Sequence, residues 1–179
     1  MKAINNTKFN MRPEFLNGKS PYTGKILRVN LTSGEIWVDD QPDSFYRKWI
    51  GGRGLILYYL MKETLPGLDP LDAENLLIFA PGMLTGTILP GTGRHAVGGK
   101  SPLTGALASG EAGGWWGSEL KRAGFDAVVI QGKSAEPVYL WINYGKVEIR
   151  KGNHLWGLKT ADCQDKIRLE LNDAKVRVA

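Results

Sequence analysis

The sequence predicts an α+β domain, mostly antiparallel β-hairpins and meanders joined by short helices. Two hairpin signatures and a pair of short apolar helical runs carry that prediction. In the first hairpin, residues 25–31 and 35–39 are extended runs separated by the three-residue turn Thr32-Ser33-Gly34. Pro42, Asp43 and Ser44 then offer helix-start chemistry for residues 45–50, which Gly51-Gly52 stops, and residues 55–63 form an apolar run of helical length before Pro66. In the second hairpin, residues 138–143 and 146–150 flank the turn Tyr144-Gly145, and residues 127–131 are a further β-rich run expected to join them in a meander.

The remaining elements follow from local patterns. Residues 75–80 (NLLIFA) are a short apolar run tightly bounded by turn residues, which predicts a buried strand rather than a helix. The run WWGSELKRA predicts a helix closed by Gly124. Thr160 is placed to cap a helix over residues 161–171, with Ile167 and Leu171 on one face, and residues 175–179 predict a strand that begins as the sequence stops. So abrupt a stop suggests a piece of something longer. Residues 1–21 lack periodicity and are expected to be a flexible leader or an arm wrapping a partner, with no secondary structure assigned. Residues 22–179 then form one domain.

Composition narrows the function. The chain has 179 residues, 42% of them hydrophobic, enough for one core of ordinary size. No run approaches the ~20 apolar residues of a membrane helix, and the N-terminal stretch has no apolar signal core. A soluble, cytoplasmic protein with no membrane partner is expected. One cysteine, Cys163, excludes an internal disulfide framework and offers no local cluster for iron–sulfur or zinc. The net charge of +5 is spread without basic runs, which favours an anionic small molecule over nucleic acid. Neither the G-x-x-x-x-G-K-S/T segment nor G-x-G-x-x-G on a strand-to-helix turn is present, which argues against a nucleotide-binding module.

Between Gly82 and Gly117 lie 11 of the 23 glycines. Glycine lets main-chain amides approach a ligand closely, at roughly 0.5–1 kcal/mol per residue in regular structure. With Arg94, Lys100, the segment KSPLTG at 100–105 and the hydroxyls of Thr85, Thr87, Thr92, Ser101 and Thr104, the stretch predicts a main-chain cradle for a large polyanion. Lys100 reads either as a point-charge phosphate binder or as a solvated loop lysine. His95 is placed to donate to the same ligand but, alone, makes no metal site. Trp115 and Trp116 suit either stacking on a flat heterocycle or burial in a core or interface, one facing each way. Glu119 and Lys121 read as exposed charges, His154 as structural and Cys163 as a bystander.

Several blocks in order carry a resemblance: residues 24–31 with Gly34, GGRGL at 51–55, DPL at 69–71, LTGT at 84–87, GR at 93–94, KSPLTG at 100–105, GGWWGSELKRAGFDA at 113–127, PVYLWI at 137–142 and LWG at 155–157. Together they resemble the N-terminal domain of tungsten-containing aldehyde:ferredoxin oxidoreductases over residues 24–179. The resemblance implies a bis-pterin tungsten cofactor (tungstopterin) held between this β-rich base and helical domains, a nearby 4Fe-4S cluster, oxidation of aldehydes to carboxylates, and ferredoxin as electron acceptor. It places the cofactor on Arg94, and His95, Lys100, Ala112, Gly113 and Gly114 complete the expected cofactor-binding set. It also places a magnesium ion, bridging two cofactor phosphates, on the main-chain carbonyl of Glu111, where the family often has Asn. Guanidinium suits a phosphate because its planar donors engage two oxygens. A backbone ligand tolerates Glu, although the carboxylate repels phosphates unless it faces metal or water.

In the family, a second glycine-rich block, the cluster cysteines and the substrate pocket lie beyond this stretch. The 179 residues are therefore expected to be an N-terminal fragment or split subunit, without catalysis of its own. Its expected partners are the remaining C-terminal domains and ferredoxin, with self-association through an uncovered apolar face. Molybdenum in place of tungsten stays open. So do two other readings: the tungsten subunit of an aromatic acyl-CoA reductase, which shares the base domain, and a non-catalytic pterin- or phosphate-binding module.

Overall fold

The computed structural model describes residues 5–8 and 20–179. Its elements are β1 (Asn5–Lys8), β2 (Lys25–Asn30), β3 (Glu35–Asp40), α1 (Asp43–Trp49), α2 (Arg53–Glu63), β4 (Leu77–Pro81), β5 (His95–Lys100), β6 (Leu107–Ala112), α3 (Trp116–Arg122), β7 (Ala127–Gln131), β8 (Val138–Asn143), β9 (Lys146–Lys151) and α4 (Thr160–Leu171). A six-stranded sheet has the order β3-β2-β7-β4-β5-β6, and a three-stranded sheet the order β1-β9-β8. Every ladder is antiparallel except β2 with β7. The α+β, mostly antiparallel class holds.

Successive strand residues point to opposite faces, so a central strand with both faces covered sends consecutive side chains into different cores. Strand β2 shows this: Ile26 packs with Leu55, Ile56, Tyr59 and Ile78 in one cluster. Its neighbour Leu27 packs with Val29, Leu120, Phe125, Val128, Val147 and Ile149 in another. The first core lies under α1 and α2, and the second joins α3 and the small sheet.

Five expectations are corrected. Residues 82–117 are not one open cradle: β5 and β6 pair from His95↔Ala112 to Lys100↔Leu107, and KSPLTG is their turn, with Ser101 N–H donating to the Ala106 carbonyl at 2.8 Å. The glycines hid the strand alternation because Gly98 and Gly99 carry no side chain to show it. At Gly98 a Cβ would lie 2.7 Å from the Ala108 carbonyl oxygen and 2.8 Å from Ile56, so packing demands glycine there. Strand β7 joins β2 and β4 rather than β8, a parallel pairing that local pattern does not reveal. Residues 175–179 form no strand, and Arg168 Nε instead donates to the Val176 carbonyl at 3.1 Å. Within the expected leader, Asn5–Lys8 forms β1 on the edge of β9, a main-chain ladder that needs no hydrophobic period; residues 1–4 and 9–19 lie outside the described residues. At α4, Thr160 is the first helical residue and makes no side-chain cap, since Lys159 holds the cap position.

Lys121 is a further correction. It is 1% exposed, and its ammonium donates to Asp126 Oδ1 at 2.7 Å and to the carbonyls of Pro21 at 2.8 Å and Met83 at 3.2 Å. Asp126 also accepts from Thr23 N–H and hydroxyl, Gly24 N–H and the Tyr46 hydroxyl. Burying charge is tolerated only when its donors and acceptors are met, as here. Glu119, by contrast, stays at the surface beside Arg122, as expected. Removing one partner of the buried pair leaves the other unpaired. Asp126→Ala is therefore expected to cost about 3–5 kcal/mol in urea unfolding, and the Lys121→Met/Asp126→Leu double variant clearly less than the sum of its singles.

Candidate functional site

Among the described residues strand β6 is an outer strand of the large sheet, and its backbone groups alternate between β5 and the free edge. Ser101 N–H points to β6 (Ala106), whereas Lys100 N–H turns the other way, to Asn75 Oδ1 at 3.2 Å. At the other end of β5 the Arg94 carbonyl also turns away, accepting from Gly82 N–H at 3.3 Å. Alternation then directs residues 95, 97 and 99 toward β6, where Ala112, Gly110 and Ala108 face them. Leu107, Ser109 and Glu111 consequently present their N–H and C=O to the open edge. The Glu111 carbonyl is among them.

Two arginines gather at the same end. Glu111 pairs with Ala96, so its side chain lies on the α2 face of the sheet, the face to which Ala96 contributes. Its carboxylate lies 3.3 Å from Arg53 Nε through one oxygen and 3.8 Å from Arg94 Nη1 through the other. Arg53 opens α2, and two contacts hold that helix start against the segment following β4: the Gly51↔Gly82 bridge, and Met83 N–H donating to the Ile50 carbonyl at 3.2 Å. Gly51 has φ +101°, and a Cβ there would meet Met83 N at 2.7 Å, so only glycine allows the approach. Arg53 lies within the GGRGL block, and neither local pattern nor the resemblance assigns it a role. The glycine pair before it was the available signal.

The hydroxyls expected to face a ligand mostly serve the loops. The Thr85 hydroxyl donates to the carbonyls of Thr92 and Arg94, Thr87 to Leu84, and Thr92 to Leu89. Ser101 and Thr104 oxygens accept from Leu103 and Ala106 N–H within the β5–β6 turn. Thr85 thereby fixes the Arg94 backbone while the Arg94 side chain stays 72% exposed.

The other predicted residues divide. Gly113 and Gly114 follow β6 directly, and among the described residues a Cβ at Gly110, Gly113 or Gly114 would meet nothing within 4 Å. Ala112 ends the strand, exposed. Trp115 is exposed and lies under the Arg177 guanidinium at 5.6 Å, whereas Trp116 packs inward on Phe79 and His95. One tryptophan therefore faces each way. Lys100 is at the far end of β5, five residues or about 17 Å from His95, and its ammonium donates to the Leu68 carbonyl. The structure does not bring it to Arg94. A shallow, open depression of ≈ 550 Å³ lies at that far end, between Leu71, Asn75, Lys100 and Ser109, and does not include Arg94. Among the described residues no group of three His, Cys, Asp or Glu is arranged to hold a metal, and no helix is long and apolar enough to cross a membrane.

His95 turns inward. It is 6% exposed against Trp116, its Nδ1 is buried without a hydrogen-bond partner, and burial holds its pKa below the ordinary 6.5. The unfolded chain then binds the proton more readily than the native state, so stability is full above about pH 6.5 and falls as pH drops below it. Comparing urea midpoints at about pH 7.5 and about pH 5.5 checks this: the wild type is expected to lose more stability than His95→Phe.

The fold and this edge define a β-rich base domain that presents a glycine-lined, arginine-flanked strand. A family model described as aldehyde ferredoxin oxidoreductase, N-terminal domain, matches residues 26–179, and the chain belongs to that family. It is similar to the tungsten-containing aldehyde ferredoxin oxidoreductase of Pyrococcus furiosus, 46% identical over 156 residues that cover 87% of this chain and 26% of that protein. The protein of the same name from Pyrococcus abyssi is 48% identical over 158 residues, covering 88% and 26%. Among solved structures, the active-site complex of benzoyl coenzyme A reductase with 1,5-dienoyl-CoA superposes with TM-score 0.85 at 40% identity, covering 87% of this chain and 24% of that one. The chain spans about a quarter of the length of the relatives it matches.

Proposed function

We propose that this chain is the cofactor-binding part of a tungsten-containing oxidoreductase that oxidises aldehydes to carboxylates and passes the electrons to ferredoxin. The observation that carries the reading is the free edge of β6 at Glu111, followed by the open Gly113-Gly114 and flanked by Arg53 and Arg94. The residues fit a phosphate-bearing ring system. Open space at the three glycines admits a flat ligand against main chain, and the Arg94 guanidinium has donors to spare for a phosphate. In this reading the Glu111 carbonyl takes a magnesium ion, a hard cation that prefers oxygen ligands. The Glu111 carboxylate faces two arginines rather than bare phosphate, which relieves the repulsion anticipated from the sequence. His95 and Trp116 support the strand from behind, and Trp115 offers an exposed ring beside Gly114. When bound, the cofactor supplies the metal centre for the redox chemistry; the 4Fe-4S cluster and the substrate pocket belong to the rest of the enzyme.

The names of the relatives support aldehydes as substrates, and the solved neighbour supports a second reading, an aromatic acyl-CoA reductase. Assaying the complete enzyme that contains this chain against aldehydes with ferredoxin, and against aromatic acyl-CoA thioesters, separates the two. Metal and pterin content of that enzyme tests the seat. Tungsten with pterin is expected in the wild type, and Arg94→Ala is expected to lower pterin occupancy about tenfold to a hundredfold through loss of charge-assisted bonds. Gly113→Val is expected to lower it with the unfolding midpoint unchanged, because its side chain enters open space. An enzyme without tungsten or molybdenum, or full occupancy in both variants, overturns the proposal.

A further inference from the structure

We propose that the Glu111 side chain is a built-in anion that occupies the place between Arg53 and Arg94 until a ligand phosphate displaces it, and that Arg53 is a second phosphate-binding residue. The inference rests on the reading that this edge seats a phosphate-bearing ligand. Each Glu111 carboxylate oxygen serves a different guanidinium, Oε1 with Arg53 Nε at 3.3 Å and Oε2 with Arg94 Nη1 at 3.8 Å. Two oxygens of one phosphate would divide between the arginines in the same manner. Both separations exceed the 2.7–2.9 Å of a well-formed charge-assisted bond. The three side chains are also exposed, Arg53 63%, Arg94 72% and Glu111 37%, the setting in which an ion pair contributes little. A dianion with three acceptor oxygens and bidentate geometry competes well against so loose a carboxylate.

The position of Arg53 is imposed by backbone packing rather than by Glu111. A Cβ on Gly54 would lie 1.9 Å from the Trp49 carbonyl oxygen, and one on Gly51 would lie 2.7 Å from Met83 N, so the start of α2 is wedged between α1 and the segment after β4. Arg53 therefore stays at this edge when the carboxylate leaves. Because the same residue offers its carbonyl to the free edge, displacement of the side chain and use of the main chain are compatible.

Inorganic pyrophosphate, titrated calorimetrically into the full chain at low salt, tests the idea, with sulfate at equal ionic strength as control. Glu111→Gln is expected to tighten pyrophosphate binding about threefold to tenfold by removing the competing anion. Arg53→Ala is expected to weaken it by a similar factor, and to do so in the Glu111→Gln background as well. Unchanged or weaker binding in Glu111→Gln, or no effect of Arg53→Ala, overturns the inference, as does pyrophosphate binding too weak to measure in every variant. Should Arg94→Ala alone weaken binding, the seat stands and only this inference fails. Should Arg94→Ala bind as the wild type does, the seat itself fails.

Discussion

The fold is organised around one buried ion pair, Lys121 with Asp126. An ammonium has three donors and a carboxylate about four acceptor sites, and the chain fills both. Lys121 spends its donors on Asp126, Pro21 and Met83, while Asp126 also receives the start of β2 through Thr23 and Gly24 and α1 through Tyr46. Tyr22 stacks on Tyr46 at 4.2 Å between ring centroids, adding apolar contact to the same knot. Segments far apart in sequence are thus joined at two charges. The pair is costly to bury and costlier to break, which makes the alternatives to this arrangement poor. It reaches the neighbourhood of the β6 edge through Met83, whose N–H also holds the helix start that carries Arg53.

Glycine does two different jobs in the central stretch, and the difference is physical. Gly98 and Gly99 exist for packing: a Cβ would strike the Ala108 carbonyl and Ile56 at one, the Leu76 carbonyl at the other. Gly110 and Gly113 face open space, so their lack of a side chain is not explained by the interior of this domain, whereas Gly114, also open, has φ +97° and needs glycine for its backbone. In the proposed reading, that space receives the ligand.

Much of the architecture was legible from residues 25–63 and 138–150, where turn residues punctuate alternating or helical runs. The six-stranded sheet was not, because its key pairing, β2 beside β7, joins segments about a hundred positions apart and leaves no local mark. Strands β5 and β6 escaped because glycine and alanine erase alternation. At the edge, Arg94, Glu111 and Gly113-Gly114 do lie close in the fold, but Lys100 shared only a composition with them and sits at the opposite end of β5. The burial of Lys121 was unreadable for another reason. Its helix places charges at 119, 121 and 122, and nothing local distinguishes the inward one from its solvated neighbours.

If Arg94 binds a phosphate as proposed, its anchoring has a consequence for how the ligand is received. The Arg94 carbonyl is tied by Gly82 N–H and the Thr85 hydroxyl, yet its guanidinium is largely exposed and only loosely paired with Glu111. A rigid mooring with a loose tip means that capture immobilises only side-chain torsions, at most about 2 kcal/mol of rotamer entropy, rather than an entire loop at 1–2 kcal/mol per residue. The framework is paid for during folding, and docking need only still the last few bonds.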